Sequence, residues 1–163
     1  MPMFATRFVI AGAEEEVSPA RRKVVETVQA WGVPLDDEVA HALRLVASEL
    51  ITNAVIHATG PVTIALHHRP GRLMLVVADH NPQAPVAGCA ADGDESGRGL
   101  ALVDHFAVRS GWKAFEHGKS VWAEIELPKP PPPVRASVLR RFFAGRARRE
   151  TGPTPQALAL SAA

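Results

Sequence analysis

Three polar side chains recur at four-residue intervals in residues 47–60, ASELITNAVIHATG. On a helix, Glu49, Asn53 and His57 would lie close to one line, at the edge of an apolar stripe. The stripe consists of Val39, Leu43, Val46, Leu50 and Ala54. Because a buried polar group without a partner costs about 1–3 kcal/mol, the three together favour a polar pocket. Taken singly, each fits a solvated shoulder of the helix equally well, with His57 near the negative end of the helix dipole.

Further residues that could take part in binding or catalysis follow downstream. Asp79 ends the apolar stretch LMLVVAD, where its carboxylate could accept a hydrogen bond from an amine. In ESGRGLALV, Gly97 and Gly99 precede a predicted helix, so backbone N–H groups could approach a phosphate. The segment matches neither a P-loop nor a dinucleotide-binding fingerprint. Ser120 opens a late strand in GKSVWAEIEL. Each signal alone is weak, since aspartate and glycine are ordinary turn residues.

The elements that must position these residues follow from periodicity and from helix stop signals. Ser18 is the expected N-cap of a first helix that closes at Gly32, and Asp36 caps a second helix that Gly60 stops. The remaining elements are a strand in MFATRFVI, a hairpin of VTIALHHR and RLMLVVAD, a short helix in GRGLALVDHFA, and strands in VRSGWKAF and KSVWAEIEL. This order predicts an α+β fold of two layers, with a mostly antiparallel sheet and helices on one face.

Composition restricts the classes of function. The chain has 163 residues, of which 47% are hydrophobic and 21% charged, as in a globular domain. Its single cysteine excludes a disulfide within the chain and favours a cytoplasmic location. Residues 1–133 hold 12 basic and 16 acidic side chains, so we expect no direct contact with nucleic acid. We also expect no membrane-spanning segment.

The composition changes sharply after Leu127, which predicts a domain of residues 1–127 followed by a Pro-rich linker and a basic C-terminal tail in residues 128–163. PKPPPP is typical of a polyproline spacer, and residues 134–150 carry six Arg and one Glu. The tail of residues 128–163 could touch an anionic membrane or an acidic partner. A flexible, solvated tail is the more favoured interpretation.

The ordered combination of these motifs is more specific than its parts. E-x-x-x-N on a helix, Asp after an apolar strand, G-x-G-L at a helix start and G-K-S-V-W-A on a late strand resemble the GHKL ATPase superfamily. Within it, residues 4–127 look most similar to small actinobacterial ATP-binding regulators related to anti-sigma-factor serine/threonine kinases. The resemblance implies the Bergerat ATP-binding fold, with ATP and Mg²⁺ as cofactors.

The resemblance also implies roles for individual residues. Glu49 matches the general base, Asn53 the ligand that holds Mg²⁺ against the phosphates, and Asp79 the acceptor for the adenine amine. Ser120 stands where a threonine near that aspartate is usual, and His57 matches a position that often lines the pocket. The phosphate-side glycine box is matched by Gly97, Arg98, Gly99 and Leu100.

One motif departs from the family pattern. The expected D-x-G-x-G box reads DHNPQ here, so both glycines are missing, and the wider segment contains Pro82 and Pro85. The departure predicts an altered adenine pocket with weaker nucleotide affinity.

The expected function is an anti-sigma-factor kinase that phosphorylates a STAS-type anti-anti-sigma partner and binds a sigma factor. The alternative is a non-catalytic module that regulates a transcription factor through protein contacts. Related kinases also suggest a homodimer.

Overall fold

The computed structural model describes residues 3–85 and 99–128. A 3₁₀ turn spans Glu14–Glu16. The helices are α1 (Val17–Ala30), α2 (Asp37–His57) and α3 (Gly99–Phe106), and the strands are β1 (Phe4–Ile10), β2 (Val62–Arg69), β3 (Arg72–Asp79), β4 (Arg109–Phe115) and β5 (Gly118–Glu126). The predicted tail of residues 128–163 lies outside the described residues apart from Pro128, so that division stays a prediction.

The five strands form one sheet in the order β1-β2-β3-β5-β4. All four strand pairings are antiparallel. Burial alternates along β2 and β3, and along β5 from Lys119 onward, which is typical of a sheet covered on one face. The covered face packs against α2, and α1 packs on α2 in turn. The predicted α+β fold, with helices on one face of an antiparallel sheet, is therefore confirmed.

The core forms where α2 crosses the covered face of the sheet. Buried residues on the helix include Leu43, Val46, Leu50 and Ile51. They meet Ile64, Leu66, Leu73, Leu75, Val77, Ala123 and Ile125 from the three central strands. By length and hydropathy alone, this 21-residue helix could cross a membrane. Its buried side chains are instead packed against the sheet, which accounts for its apolar character.

The predicted helix boundaries are correct in part. Asp36 caps α2 as expected, because its Oδ1 accepts a hydrogen bond from the Val39 amide at 2.8 Å. Ser18 does not cap α1, which begins at Val17 behind the 3₁₀ turn. There the Glu16 carboxylate accepts hydrogen bonds from the amides of Gly12 and Ala13, and these bonds lower its pKa. The chain thus already turns into the helix before Ser18.

The end of α2 also differs from the prediction. The helix stops at His57, because Ala58 adopts an extended conformation. Gly60 follows with a φ of 106°, so its conformational freedom turns the chain into β2 rather than ending the helix directly. This earlier end leaves the His57 carbonyl oxygen available to a partner outside the helix.

The two candidate caps can be compared directly. Asp36→Ala removes the acceptor for the Val39 amide and should lower the free energy of unfolding by about 1 kcal/mol. Ser18→Ala is the matched control and should change it by less than about 0.5 kcal/mol. Urea denaturation followed by far-ultraviolet circular dichroism measures both. Equal losses for the two variants would contradict the assignment of the cap.

Candidate functional site

The line of polar residues on α2 borders a cleft. Glu49, Asn53 and His57 line it together with Thr52 and Ile56, and Gly99 and Leu100 close it from the start of α3. Its volume is about 180 Å³. The structure therefore brings together five of the predicted site residues from two separate helices. Gly97 and Arg98 lie outside the described residues.

Glu49 and Gly99 approach each other closely across the cleft. Oε2 of Glu49 occupies the place where a β-carbon of residue 99 would lie. A larger residue at position 99 would therefore require the Glu49 carboxylate to move. With glycine here, the carboxylate lies beside the first backbone groups of α3.

Burial acts on the protonation of Glu49. Its carboxyl group is partly withdrawn from water between α2 and α3, and this desolvation raises its pKa above the ordinary value. A carboxylate with a raised pKa is a better proton acceptor near neutral pH than an ordinary glutamate. A perturbed carboxyl in a cleft also marks a candidate functional residue, although structural causes can shift a pKa as well.

Asn53 and His57 occupy the following turns of α2. Asn53 is half-buried and His57 is exposed, and both border the same cleft. The amide oxygen of Asn53 and the carboxylate of Glu49 are hard oxygen donors of the type that Mg²⁺ prefers. Protein sites for Mg²⁺ commonly supply only one or two such ligands beside substrate phosphates. This side of the cleft therefore fits a Mg²⁺–phosphate group.

Asp79 lies elsewhere and already has a partner. It pairs with Lys119 across β3 and β5, and both residues are only 2% exposed. Lys119 Nζ lies 3.1 Å from Oδ1 of Asp79 and 3.0 Å from its Oδ2. The Oδ2 contact is ionic, because its direction does not make a hydrogen bond. Asp79 is not among the residues that line the Glu49 cleft.

The segment after β3 encloses this ion pair. The Asn81 amide donates to Oδ1 of Asp79 at 2.8 Å, and the Asn81 carbonyl oxygen accepts from Lys119 Nζ at 3.2 Å. The Asn81 side chain donates to the His57 carbonyl oxygen at 2.6 Å and accepts from the Gln83 amide at 3.0 Å. Asn81 thus connects the buried pair to the end of α2. The adenine side of the expected site does not fit, because the acceptor carboxylate is engaged and covered.

The prediction for Ser120 is wrong in position. Ser120 pairs with Ala78, so strand alternation puts its side chain on the sheet face opposite the helices. Lys119 faces Asp79 instead, and sequence reasoning missed it. The sequence contains a signal for it, since Val121 and Ile125 are apolar positions of this strand and Lys119 is separated from them by even numbers of residues.

Known proteins support this architecture. The sequence model of the histidine kinase-like ATPase domain matches residues 10–125. A solved structure of the RsbU and RsbW domains of Rv1364c from Mycobacterium tuberculosis is similar with a TM-score of 0.57 at 19% identity, over 79% of this chain and 34% of that chain. At this identity the likeness shows the fold alone.

A second solved structure gives a weaker match. It is the histidine kinase domain of the blue-light activated histidine kinase from Erythrobacter litoralis EL346, with a TM-score of 0.44 and 26% identity, over 55% of this chain and 45% of that one. This chain therefore spans only 34% of the length of the first structure and 45% of the length of the second. A search of curated proteins found no match.

The raised pKa of Glu49 has a consequence for stability. A carboxyl whose pKa is higher in the folded than in the unfolded state contributes stability below its unfolded pKa, and this is lost as pH rises through the folded pKa. Glu49→Gln removes the partly buried charge. Its melting temperature relative to wild type should therefore rise between pH 4 and pH 7, by on the order of 2 °C.

The matched control is Glu38→Gln, an exposed glutamate of the same helix. Thermal unfolding at both pH values should show no such gain for this variant. A Glu49→Gln melting temperature that falls relative to wild type as pH rises would contradict the desolvation of this carboxyl.

Proposed function

Since the chain belongs to the histidine kinase-like ATPase family, we propose that it transfers a phosphoryl group from ATP to a hydroxyl group of a partner protein. Family membership itself implies an ATP-binding regulatory domain. The observation that carries the finer proposal is the contact between the Glu49 carboxylate and Gly99 at the start of α3, with Asn53 one turn along the same cleft.

The phosphate side of the cleft supplies the groups that such a transfer needs. Asn53 would hold Mg²⁺, which neutralises charge on the phosphoryl group when bound. The free backbone N–H groups at the start of α3 favour an anion there. Gly97, Arg98 and Leu100 belong to the same predicted glycine box, and Leu100 lines the cleft.

Glu49 would accept the proton of the attacking hydroxyl. Its carboxylate borders the cleft on one side and is partly desolvated by α3 on the other, which raises its pKa toward neutrality. General bases contribute about 10²–10⁴-fold to such reactions, and their efficiency is greatest when the pKa lies near the working pH. His57, an exposed neighbour in the cleft, would contribute to binding rather than to proton transfer.

The partner class follows from the motif resemblance. We propose a STAS-type anti-anti-sigma protein as the substrate and a sigma factor or other transcription regulator as a binding partner, in the cytoplasm. The similar structure from M. tuberculosis joins an RsbW domain to an RsbU domain in one chain. A homodimer, and a contact of the basic tail with a membrane or an acidic partner, stay subsidiary proposals.

One observation favours a second function. The carboxylate of Asp79 is bound to Lys119 and to the Asn81 amide, so the acceptor that adenine would use is already engaged by the protein. A domain of this kind could regulate a transcription factor by protein contacts without catalysis. The two functions differ in whether label moves from ATP to the partner.

The kinase proposal is tested with labelled ATP, Mg²⁺ and a purified STAS-type anti-anti-sigma protein. Glu49→Gln should reduce transfer at least about 100-fold, because it removes the proton acceptor. The dissociation constant for MgATP, measured by calorimetry, should change less than about threefold. Asn53→Ala should instead weaken Mg²⁺-dependent binding about tenfold or more.

Glu38→Gln, exposed on the same helix, is the control and should keep full transfer. If Glu49→Gln transferred label as fast as wild type, the assignment of the base would be wrong. If wild type bound MgATP but labelled no partner, the non-catalytic function would replace the kinase.

A further inference from the structure

We propose that Lys119 and Asn81 take the place of nucleobase recognition, so that the cleft binds nucleoside triphosphates with Mg²⁺ without selecting the base. This inference rests on the proposed function and concerns the substrate class of the same site. It follows from the disagreement between the expected adenine contact and the side chains that surround Asp79.

The first argument is that both buried charges already have partners. Nζ of Lys119 donates to Oδ1 of Asp79 at 3.1 Å and to the Asn81 carbonyl oxygen at 3.2 Å. It also lies 3.0 Å from Oδ2 of Asp79, in an ionic contact. Oδ1 of Asp79 accepts a further bond from the Asn81 amide. Oδ2 keeps only the ionic contact and is withdrawn from solvent.

The second argument concerns charge. The amino group of adenine is neutral, whereas the partner that Asp79 has now is a cation. If a base displaced Lys119, a carboxylate and an ammonium, each only 2% exposed, would both lose their compensation. Breaking one side of a buried ion pair is strongly unfavourable, because the remaining charge stays in a poorly polarisable surrounding. A single neutral hydrogen bond does not offset that loss.

The third argument concerns access. His57 borders the cleft, and its carbonyl oxygen is held by the Asn81 side chain at 2.6 Å. Asn81 therefore connects the end of α2 to the segment that contacts Asp79. The Asp79 carboxylate itself is buried, since the residue is only 2% exposed and its Oδ2 is withdrawn from solvent. A base could reach this carboxylate only if the chain's own groups around it moved.

The phosphate side of the site is open to a ligand in the part of the chain that the structure describes. Glu49, Asn53 and Gly99 border the open cleft of about 180 Å³, which is smaller than the roughly 300–1,000 Å³ of common small-molecule pockets. Recognition there depends on the Mg²⁺–phosphate group, which ATP, GTP and CTP share. The base would contribute little to the difference in affinity among them.

The first test is a calorimetric series on the full chain with Mg²⁺ and ATP, GTP, CTP or inorganic tripolyphosphate. The expected result is dissociation constants for the three nucleotides within about threefold of one another, with tripolyphosphate bound as well. A site that hydrogen-bonds its substrate rejects analogues that lack the group by far larger factors. Binding of ATP at least tenfold tighter than GTP and CTP would overturn the inference and leave the proposed function standing.

If neither a nucleotide nor tripolyphosphate bound, the proposed function would fail, and this inference with it. The two failures are therefore distinguishable, since the first shows selective binding and the second shows none.

The second test uses variants of the ion pair. Asp79→Asn should lower the melting temperature and change the ATP and GTP dissociation constants by the same factor. The double variant Asp79→Asn/Lys119→Met removes both charges and should recover part of the melting temperature, while it keeps the lack of base preference. If Asp79→Asn alone does not fold, the double variant still allows the affinities for ATP and GTP to be compared.

Ser120→Ala is the matched control, because its side chain lies on the opposite face of the same strand. It should change neither melting temperature nor affinity. A selective loss of ATP binding, with GTP binding unchanged, in either Asp79 variant would show that Asp79 reads adenine and would overturn the inference.

Discussion

The buried contact between Asp79 and Lys119 holds together the part of the fold on which the site depends. The two residues face each other at the end of β3 and the start of β5, the central strands of the covered sheet. Removing two charges from water is costly, and their attraction offsets the cost only when the geometry is close and the remaining polar groups are bonded. Asn81 bonds Oδ1 of Asp79 and the Lys119 ammonium and continues the network to the carbonyl oxygen of His57, while Oδ2 keeps only its ionic contact. Two strands, one connection and the end of α2 are thereby linked through one ionic centre.

The electrostatic surroundings of Glu49 on α2 are the opposite of those of Asp79 at the end of β3. Asp79 has a cation and a backbone amide as partners, whereas burial beside Gly99 raises the pKa of Glu49 and no compensating cause lowers it. A carboxylate that is stabilised by fixed partners has little capacity to take part in chemistry. One that is desolvated at the edge of an open cleft can exchange a proton or bind a metal ion. Of the two acidic residues singled out in the sequence, Asp79 is therefore paired within the fold, and Glu49 is the candidate for chemistry.

Much of the fold could be predicted because its signals are local. The Asp36 cap, the Pro70-Gly71 hairpin and the alternation of burial along β3 each depend on a few neighbouring residues. The wrong predictions arose where another local contact replaced the expected one, or where the contact involved a residue distant in the sequence. Ser18 lost its predicted role because Glu16 already binds the amides before it. The cleft on α2 was predictable from the four-residue spacing, which the helix period converts into one line.

The partner of Asp79 could not be derived in the same way. Asp79 and Lys119 are 40 residues apart, and their contact requires the register between β3 and β5. Strand parity alone would have placed Lys119 on the inner face beside Val121, but not opposite Asp79. The sequence resemblance directed attention to Ser120, one residue away, and a shift of one position in a strand moves a side chain to the other face of the sheet.

The glycine-free segment DHNPQ now has a physical explanation. Within residues 3–85 and 99–128, positive φ angles occur only at Gly12, Gly32, Gly60 and Gly71, so neither Asn81 nor Gln83 needs the conformational freedom of glycine. Asn81 builds its turn with a side-chain bond to the Gln83 amide instead. The same residue contacts both members of the buried ion pair through its backbone and the end of α2 through its side chain. The glycine-free segment therefore supplies, through Asn81, the contacts on which the proposed loss of base selection rests, while the Glu49 cleft stays open beside it.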